Sequence, residues 1–455
     1  DSLVFKDRQD YYIIGTHVGD VDNQTIVTGG SSLYGSDVQL PGMLHAVYEK
    51  CPATYGRVIS ANLDHIKSLP GVVDAFVVEG NDDVTELLDG IAIVARSTWE
   101  AFKAKQQLEV EWDTSLASKD DNEKFFNQAH EIAQAPWPSE EQITATGDVE
   151  SQYADEFTNV VRGNYQFPYL AHACMEPMNC TAHYHSDTNS LDIWAPTRQP
   201  GIALNVMESV FDIPKDQITL HQMRMGGSFG RRRFQDYSCE VTAIARRFDV
   251  PIKLMWTRED DLMHDQFRPG GVYAFKGAVS REGNVVAMEN HLIGPSVRGI
   301  ATNGTRLGSA EFPALNIDNY RAAVSLIDTN TPTGSWRAPG SNATGWAVQS
   351  FISELAHAAG RDNVELLIEM MGEPRWFEEG STGSLNTGRA VDVIKLAAEQ
   401  SCWGKTLPEG RGMGISFHFS HAGHVAEIAE VSVDANRNVT IHKVTAVVDI
   451  GPVIN

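Results

Sequence analysis

A chain of 455 residues with 42% apolar and 21% charged side chains has the composition of a folded protein, and its length exceeds one ordinary core, so two or more domains are expected. Sixty acidic residues against 36 basic ones give a net charge of −24, which excludes a surface built to hold nucleic-acid phosphates. No run of about 18 apolar residues occurs, so no helix of the sequence would span a membrane.

In chain order, "DSLVFKDRQD" has neither the charged nor the apolar region of a signal peptide, and residues 1–20 read as a connecting segment. "VTGGSSLYGSDVQLPGMLHAVYEKCP" (Val27–Pro52) reads as turns and short strands leading into a buried strand. "HIKSLPGVVDAFVVEG" (His65–Gly80) reads as helix, Pro-Gly turn and strand, and a strand-rich run ends near "QLEVEWD" (Gln107–Asp113). Residues 21–116 therefore form an expected α+β domain. Ser118 can cap a helix that stops before Pro136, and residues 117–147 as a whole read as a polar linker that proteases would open first. A second domain is expected over 148–455. In it "SLDIWAPT" (Ser190–Thr197) is a strand running into a loop, and "QITLHQMRM" (Gln217–Met225) is a strand entering a glycine segment. Tyr237, Val241, Ile244 and Phe248 then repeat at helical spacing, as do Val348, Ile352 and Leu355 ahead of Gly360. "AEVSVDANRNVTIHKVTAVVDIG" (Ala429–Gly451) is a hairpin turning near Asp434–Asn438.

The chemistry concentrates in "QMRMGGSFGRRRFQDY" (Gln222–Tyr237). A loop between strand and helix aims backbone N–H groups outward, and glycine lets a ligand approach the main chain. Arg231, Arg232 and Arg233 could neutralise phosphates. The segment lacks the Lys-[Ser/Thr] ending of a Walker loop and is not the dinucleotide GxGxxG. From local chemistry alone, a tight turn with solvated arginines accounts for it equally well.

Further segments decide the resemblance. "TGGSSLYGSDVQLPGMLHA" (Thr28–Ala46), "HACMEPMNCTA" (His172–Ala182), "MGGSFGRR" (Met225–Arg232), "WTREDD" and "HDQFRP" (Trp256–Pro269), "SWRAPG" (Ser335–Gly340) and "ELLIEMM" (Glu365–Met371) together resemble, in order and spacing, the molybdopterin-binding large subunit of the xanthine oxidase family. The nearest branch is that of isoquinoline 1-oxidoreductase β subunits and membrane-linked aldehyde dehydrogenases. The resemblance implies an α+β chain with an aldehyde oxidase/xanthine dehydrogenase a/b hammerhead domain followed by a molybdopterin-binding domain, incomplete at both ends. It implies that Gly226, Gly227, Ser228, Phe229 and Gly230, with Arg231 and Ala338 beside them, bind a molybdenum-pterin cofactor, the cytosine dinucleotide form being usual in bacterial relatives. It places Arg337 near substrate, where a guanidinium can stabilise developing negative charge.

The implied activity is oxidation of an aldehyde to a carboxylic acid with water as oxygen source; hydroxylation of an N-heteroaromatic compound and a non-catalytic scaffold stay open. The five cysteines (Cys51, Cys174, Cys180, Cys239, Cys402) are scattered and form no CxxC, so neither a disulfide framework nor an iron–sulfur cluster is expected in this chain. The resemblance therefore implies a small iron–sulfur partner subunit, with a cytochrome c subunit as a further partner, and a periplasmic location with a cytoplasmic alternative.

Three positions depart from the family. Leu170 stands where xanthine oxidase proper has a glutamine at the metal centre. Arg233 stands where purine-type enzymes have a substrate-binding glutamate. The family's general-base glutamate lies in a region that residues 1–455 do not include, so the remaining part of the large subunit is expected to carry it. His418, His421 and His424 read as strand and loop residues, and His183 and His185 share one strand face; no separate metal site is expected from either group. Glu176 would pair with a nearby cation or cap a turn. Asp82-Asp83 and Glu140-Glu141 read as solvated charges.

Overall fold

In the computed structural model, which describes residues 3–29, 33–379 and 381–455, the chain opens with helix α1 (Asn23–Thr28). Then come β1 (Leu44–Lys50), β2 (Arg57–Ala61), α2 (Leu63–Lys67), β3 (Val72–Val78), β4 (Gly90–Ala95), α3 (Thr98–Lys105) and β5 (Val110–Asp113). Gly30, Ser31 and Ser32 of the expected turn segment lie outside the described residues. The Gly-Ile-Ala-Ile-Val-Ala run of β4 carries no polar side chain, so both its faces need cover. Ile91, Ile93 and Ala95 pack with Ile66 of α2 and with Ala101 and Ala104 of α3. Ala92 and Val94 face a second core that holds Tyr237, Val241 and Ile244. Helix α3 starts where the Ser97 side chain accepts the Glu100 N–H.

The chain continues through α4 (Asn122–Gln134), β6 (Gln142–Thr146), α5 (Val149–Ala154), β7 (Asn159–Phe167), β8 (Asn179–His185), β9 (Ser190–Ala195), α6 (Pro200–Phe211), β10 (Ile218–Gln222), α7 (Asp236–Ala245), β11 (Ile252–Met255) and α8 (Arg258–Met263). It ends with β12 (Gly271–Val279), β13 (Val285–Val297), β14 (Ile300–Ala301), β15 (Asn319–Asp328), α9 (Ser341–Ala358), α10 (Asn363–Met371), α11 (Thr387–Ser401), β16 (Arg411–Ser420), β17 (Gly423–Val433) and β18 (Val439–Asp449).

One sheet runs β10-β9-β8-β11-β1-β4-β3, a second runs β6-β15-β13-β12-β7 with β14 on β13, a third is β16-β17-β18, and β2 pairs with β5. The expected break near residues 116–148 does not interrupt the first sheet. There β1 pairs in parallel with β11, Leu44 opposite Ile252, so the Pro41–Tyr48 run shares sheet and core with the strands around the glycine segment. Parallel partners need a long crossover, and local pattern carries no trace of such a pairing.

The stretch 117–147 is likewise folded, not strung out as a linker. Its helix is capped by Asp121, whose carboxylate accepts the Lys124 N–H, and not by Ser118. Phe125, Phe126 and Ala129 pack on Val272, Ala274, Ile293 and Ile327, while β6 pairs antiparallel with β15. The helix expected to stop before Pro136 is α4, and the polar stretch after it runs through a short turn into β6. On the opposite face of the second sheet, α9 lays Phe351 on Phe275, ring centroids 4.9 Å apart.

Candidate functional site

Strand β10 ends at Gln222 and α7 begins at Asp236, so the glycine segment is the expected strand–loop–helix connection. Its arginines turn inward to protein partners, Arg231 and Arg232 completely and Arg233 in part. Arg231 and Arg232 are fully buried. The Arg231 guanidinium donates twice to Asp236, at 3.0 and 2.6 Å, and its Nε lies 3.0 Å from Asp265 Oδ1 as an ion pair without hydrogen-bond alignment. Arg232 donates to Glu176 Oε2 and to the carbonyls of Glu176 and Gly227, each at 2.9 Å. Arg233 is half-buried and donates to Ser335 Oγ at 3.1 Å. Arg231 is thus corrected from a cofactor contact to an internal ion-pair member, because a buried guanidinium must be paired where it lies.

The glycines answer two demands. A Cβ on Gly226 would overlap the Glu176 side chain, and a Cβ on Gly230 would overlap the Ser335 carbonyl oxygen. These two glycines therefore let the loop close on its neighbours. Gly227 differs: at φ +103 the nearest atom to a Cβ is 3.3 Å away, on the Phe229 ring, so conformation and not crowding requires glycine. Phe229 (φ 52) and Ala338 (φ 56) both hold the left-handed region on facing loops, and Arg337 N–H joins them by donating to Phe229 O at 2.7 Å. Each such residue costs about 1–3 kcal/mol, strain that clusters at functional sites.

What this geometry leaves open is the site. The N–H groups of the four residues Gly227, Ser228, Phe229 and Gly230 find no acceptor among the described residues. The Ser228 hydroxyl oxygen is buried without a partner. Phe229 is 42% exposed, and Arg337 is exposed with no side-chain hydrogen bond or ion pair among the described residues. A run of unengaged N–H groups, an orphaned hydroxyl and a free guanidinium at one rim fit an electronegative group approached by main chain. Leu170, the position of the purine-branch glutamine, is 41% exposed, and its main chain bridges Arg268 in both directions.

Behind the loop lie buried charges: Glu176, expected to pair with a nearby cation, does so with Arg232, and Glu240, which the sequence did not mark, lies deeper. Glu176 accepts Ser36 N at 2.9 Å and Gly226 N at 2.8 Å as well as Arg232, so its carboxylate ties three segments together. Glu240 of α7 is fully buried between Lys50 Nζ and Trp256 Nε1, each 2.6 Å away. Burial pushes its carboxyl up to about 7, against the pull of Lys50. The folded protein then holds this proton more tightly than the unfolded chain. The resulting stability is complete below the ordinary carboxyl range and is lost as pH rises through about 7. Chemical denaturation from pH 4.5 to 8 is expected to show Glu240→Gln removing a decline on the order of 2–3 kcal/mol. A wild-type decline unchanged in the variant would exclude Glu240 as its source.

His418, His421 and His424 fall on β16, on the turn after it and on β17. His424 accepts the Asn386 N–H at 3.0 Å, His421 sits at the hairpin turn, and His418 packs beside Gly345. His183 and His185 share a face of β8 with rings 4.1 Å apart. No group of three or more metal-ligating side chains is arranged to hold an ion among the described residues, and all five cysteines are free thiols.

Comparison with known proteins identifies the family and the fold. The molybdopterin cofactor-binding domain family matches residues 132–369, starting inside the stretch that read as a linker. A membrane-bound aldehyde dehydrogenase [pyrroloquinoline-quinone] of Gluconacetobacter polyoxogenes is 24% identical over 94% of this chain and 58% of its own. The isoquinoline 1-oxidoreductase subunit beta of Brevundimonas diminuta is 23% identical over 99% of this chain and 57% of its own. The crystal structure of quinoline 2-oxidoreductase from Pseudomonas putida 86 superposes with a TM-score of 0.67 at 18% identity, covering 94% of this chain and 62% of that one. The chain thus spans under two thirds of the length of the relatives it matches. With more than half of its residues inside the matched region and nearly all of them in the superposed fold, the chain belongs to the molybdopterin cofactor-binding domain family and has the fold of a xanthine-oxidase-family large subunit.

Proposed function

We propose that this chain is the molybdenum-pterin part of a multi-component oxidoreductase that converts an aldehyde to a carboxylic acid with oxygen from water. One observation carries the reading: four consecutive N–H groups, Gly227 to Gly230, that find no acceptor among the described residues, beside the exposed Arg337, whose side chain has no partner among them. A molybdenum-pterin group held here would supply the redox chemistry. This chain's residues hold and orient. The N–H groups of Gly227–Gly230 and the Ser228 hydroxyl hold the cofactor, with Ala338 facing them across the Arg337 contact. Arg337 orients the substrate carbonyl oxygen and stabilises negative charge as it develops there. Glu176, Arg231 and Arg232 keep the loop in place from beneath. Electrons leave through iron–sulfur clusters on a small partner subunit, with a cytochrome c subunit beyond it. The cofactor is the cytosine dinucleotide form, and the location is periplasmic.

Hydroxylation of an N-heteroaromatic compound is the second reading, favoured by the names of two relatives, isoquinoline 1-oxidoreductase and quinoline 2-oxidoreductase. Arg233 turns to Ser335 where purine-type enzymes need a glutamate, which speaks against purines. Anaerobic turnover by the native complex with a dye as acceptor tests both. Faster turnover of aldehydes than of isoquinoline supports the first reading and the reverse supports the second. No turnover of either by a molybdenum-loaded complex would overturn both in favour of a scaffold. Gly227→Val places a branched side chain at φ +103 beside the cradle. It is expected to fold, with an unchanged far-ultraviolet spectrum, and to lose bound molybdenum; full occupancy would exclude the loop as the holding element.

A further inference from the structure

His172 sits in the floor beneath the two facing loops, and its side chain is 1% exposed. Its Nδ1 lies 3.1 and 3.0 Å from the two carboxyl oxygens of Asp265, and its Nε2 lies 3.1 Å from the Ser335 carbonyl oxygen. A neutral imidazole donates from one nitrogen and accepts at the other. Here both nitrogens face acceptors. Ser335 O is a carbonyl oxygen and can only accept. Asp265 is held as a carboxylate: it accepts Gln266 N at 2.7 Å and the His172 main-chain N–H, and it pairs with Arg231 Nε at 3.0 Å. Burial raises the Asp265 carboxyl, and the His172 side chain, the Arg231 charge and the His172 main-chain N–H outweigh it and hold the carboxyl below the usual range. Turning the ring over would set carbon against both acceptors and forfeit both contacts.

We infer that His172 is a doubly protonated imidazolium in the folded protein and acts as the positioning residue that fixes the Ser335–Arg337 segment against the glycine loop. Charge balance is an independent support. Arg231, Asp236 and Asp265 form a buried set with one cation and two carboxylates. The imidazolium brings this set to neutrality, and a buried net charge is costly. Of the other charged groups nearby, Asp261 is paired with Arg258 and also faces Arg231, the half-buried Arg233 donates to Ser335 Oγ, and Arg268 lies over the Trp336 ring.

The consequence runs through one carbonyl. The imidazolium donates to Ser335 O, the oxygen that a Cβ on Gly230 would overlap, and Trp336 stacks on the His172 ring at 5.5 Å. Two residues on, Arg337 N–H meets Phe229 O. The proton on Nε2 therefore sets the register between the loop that holds the four free N–H groups and the loop that carries Arg337. The protonation state stands on these contacts alone; its effect on cofactor loading rests on the function proposed above.

The test is nitrogen-15 NMR of the full chain labelled at histidine, at pH 7.5, where solvent-exposed imidazoles are largely neutral. One ring is expected with both nitrogens in the protonated range and slow exchange of both protons with water. That signal should vanish in His172→Gln and move in Asp265→Asn, which assigns it twice over should either variant fold poorly. A wild-type spectrum in which every slowly exchanging ring is a neutral tautomer overturns the inference, whatever the enzyme's activity. A second readout separates charge from shape. His172→Gln alone leaves the buried set one charge short, whereas His172→Gln with Asp265→Asn is neutral. The double variant is therefore expected to recover most of the Tm, and of the molybdenum content, that the single variant loses. Equal or greater loss in the double variant would mean that His172 contributes packing and not charge. Recovery of Tm with molybdenum absent from wild type as well would leave the imidazolium standing and overturn the cofactor reading instead.

Discussion

Arg337→Met is expected to keep its cofactor and lose turnover by roughly 10²-fold or more, the scale seen when one donor to a developing negative charge is removed. The warrant is what the side chain does not do: it is exposed and makes no hydrogen bond or ion pair among the described residues, while its main chain is pinned to Phe229 O. Methionine keeps much of the stem's apolar contact and deletes the charge. A structural arginine would show the opposite pattern. Arg232, fully buried on Glu176, is that case; its loss leaves a buried carboxylate unpaired and is expected to cost about 3–5 kcal/mol of stability. The measurement is kcat per bound molybdenum in Arg337→Met. A near-normal value would remove Arg337 from the chemistry.

Gly230→Ala is the substitution with the largest expected structural effect. The added Cβ would overlap a main-chain oxygen, Ser335 O, which no rotamer change can relieve, and φ is +122. Either the two loops separate or the segment unfolds locally, at a cost of roughly 3 kcal/mol or more. Because Ser335 O also receives the His172 proton, separation breaks that contact too. Thermal unfolding should show a lowered Tm, and metal analysis should show molybdenum lost even from the folded fraction. A variant with wild-type Tm and full occupancy would mean that the loops do not meet as described. Gly227→Val is the paired contrast, since it strains the loop without touching Ser335.

The legible parts of this fold were those set by local chemistry. Tyr237, Val241 and Ile244 at helical spacing announced α7, and Asp434–Asn438 marked the turn between β17 and β18. Lost from view was everything set by partners far along the chain. Nothing near Leu44 reveals that β1 pairs with β11, and nothing near Gln142 reveals that β6 pairs with β15. The same limit governed the site. Three adjacent arginines read as one basic patch, yet each turns to a different partner: Arg231 to Asp236, Arg232 to Glu176 and Arg233 to Ser335. Charge type is written in the sequence, while burial is not. His172 and Asp265 stand within the quoted motifs "HACMEPMNCTA" and "HDQFRP", but only their meeting beneath the loop shows what they do.

The most direct test of the central claim is metal and pterin analysis of the intact complex isolated from its natural source, alongside the same complex carrying Gly227→Val. The account predicts about one molybdenum and one pterin per chain in the wild type and neither in the variant. A correctly folded wild-type complex that contains no molybdenum would contradict it.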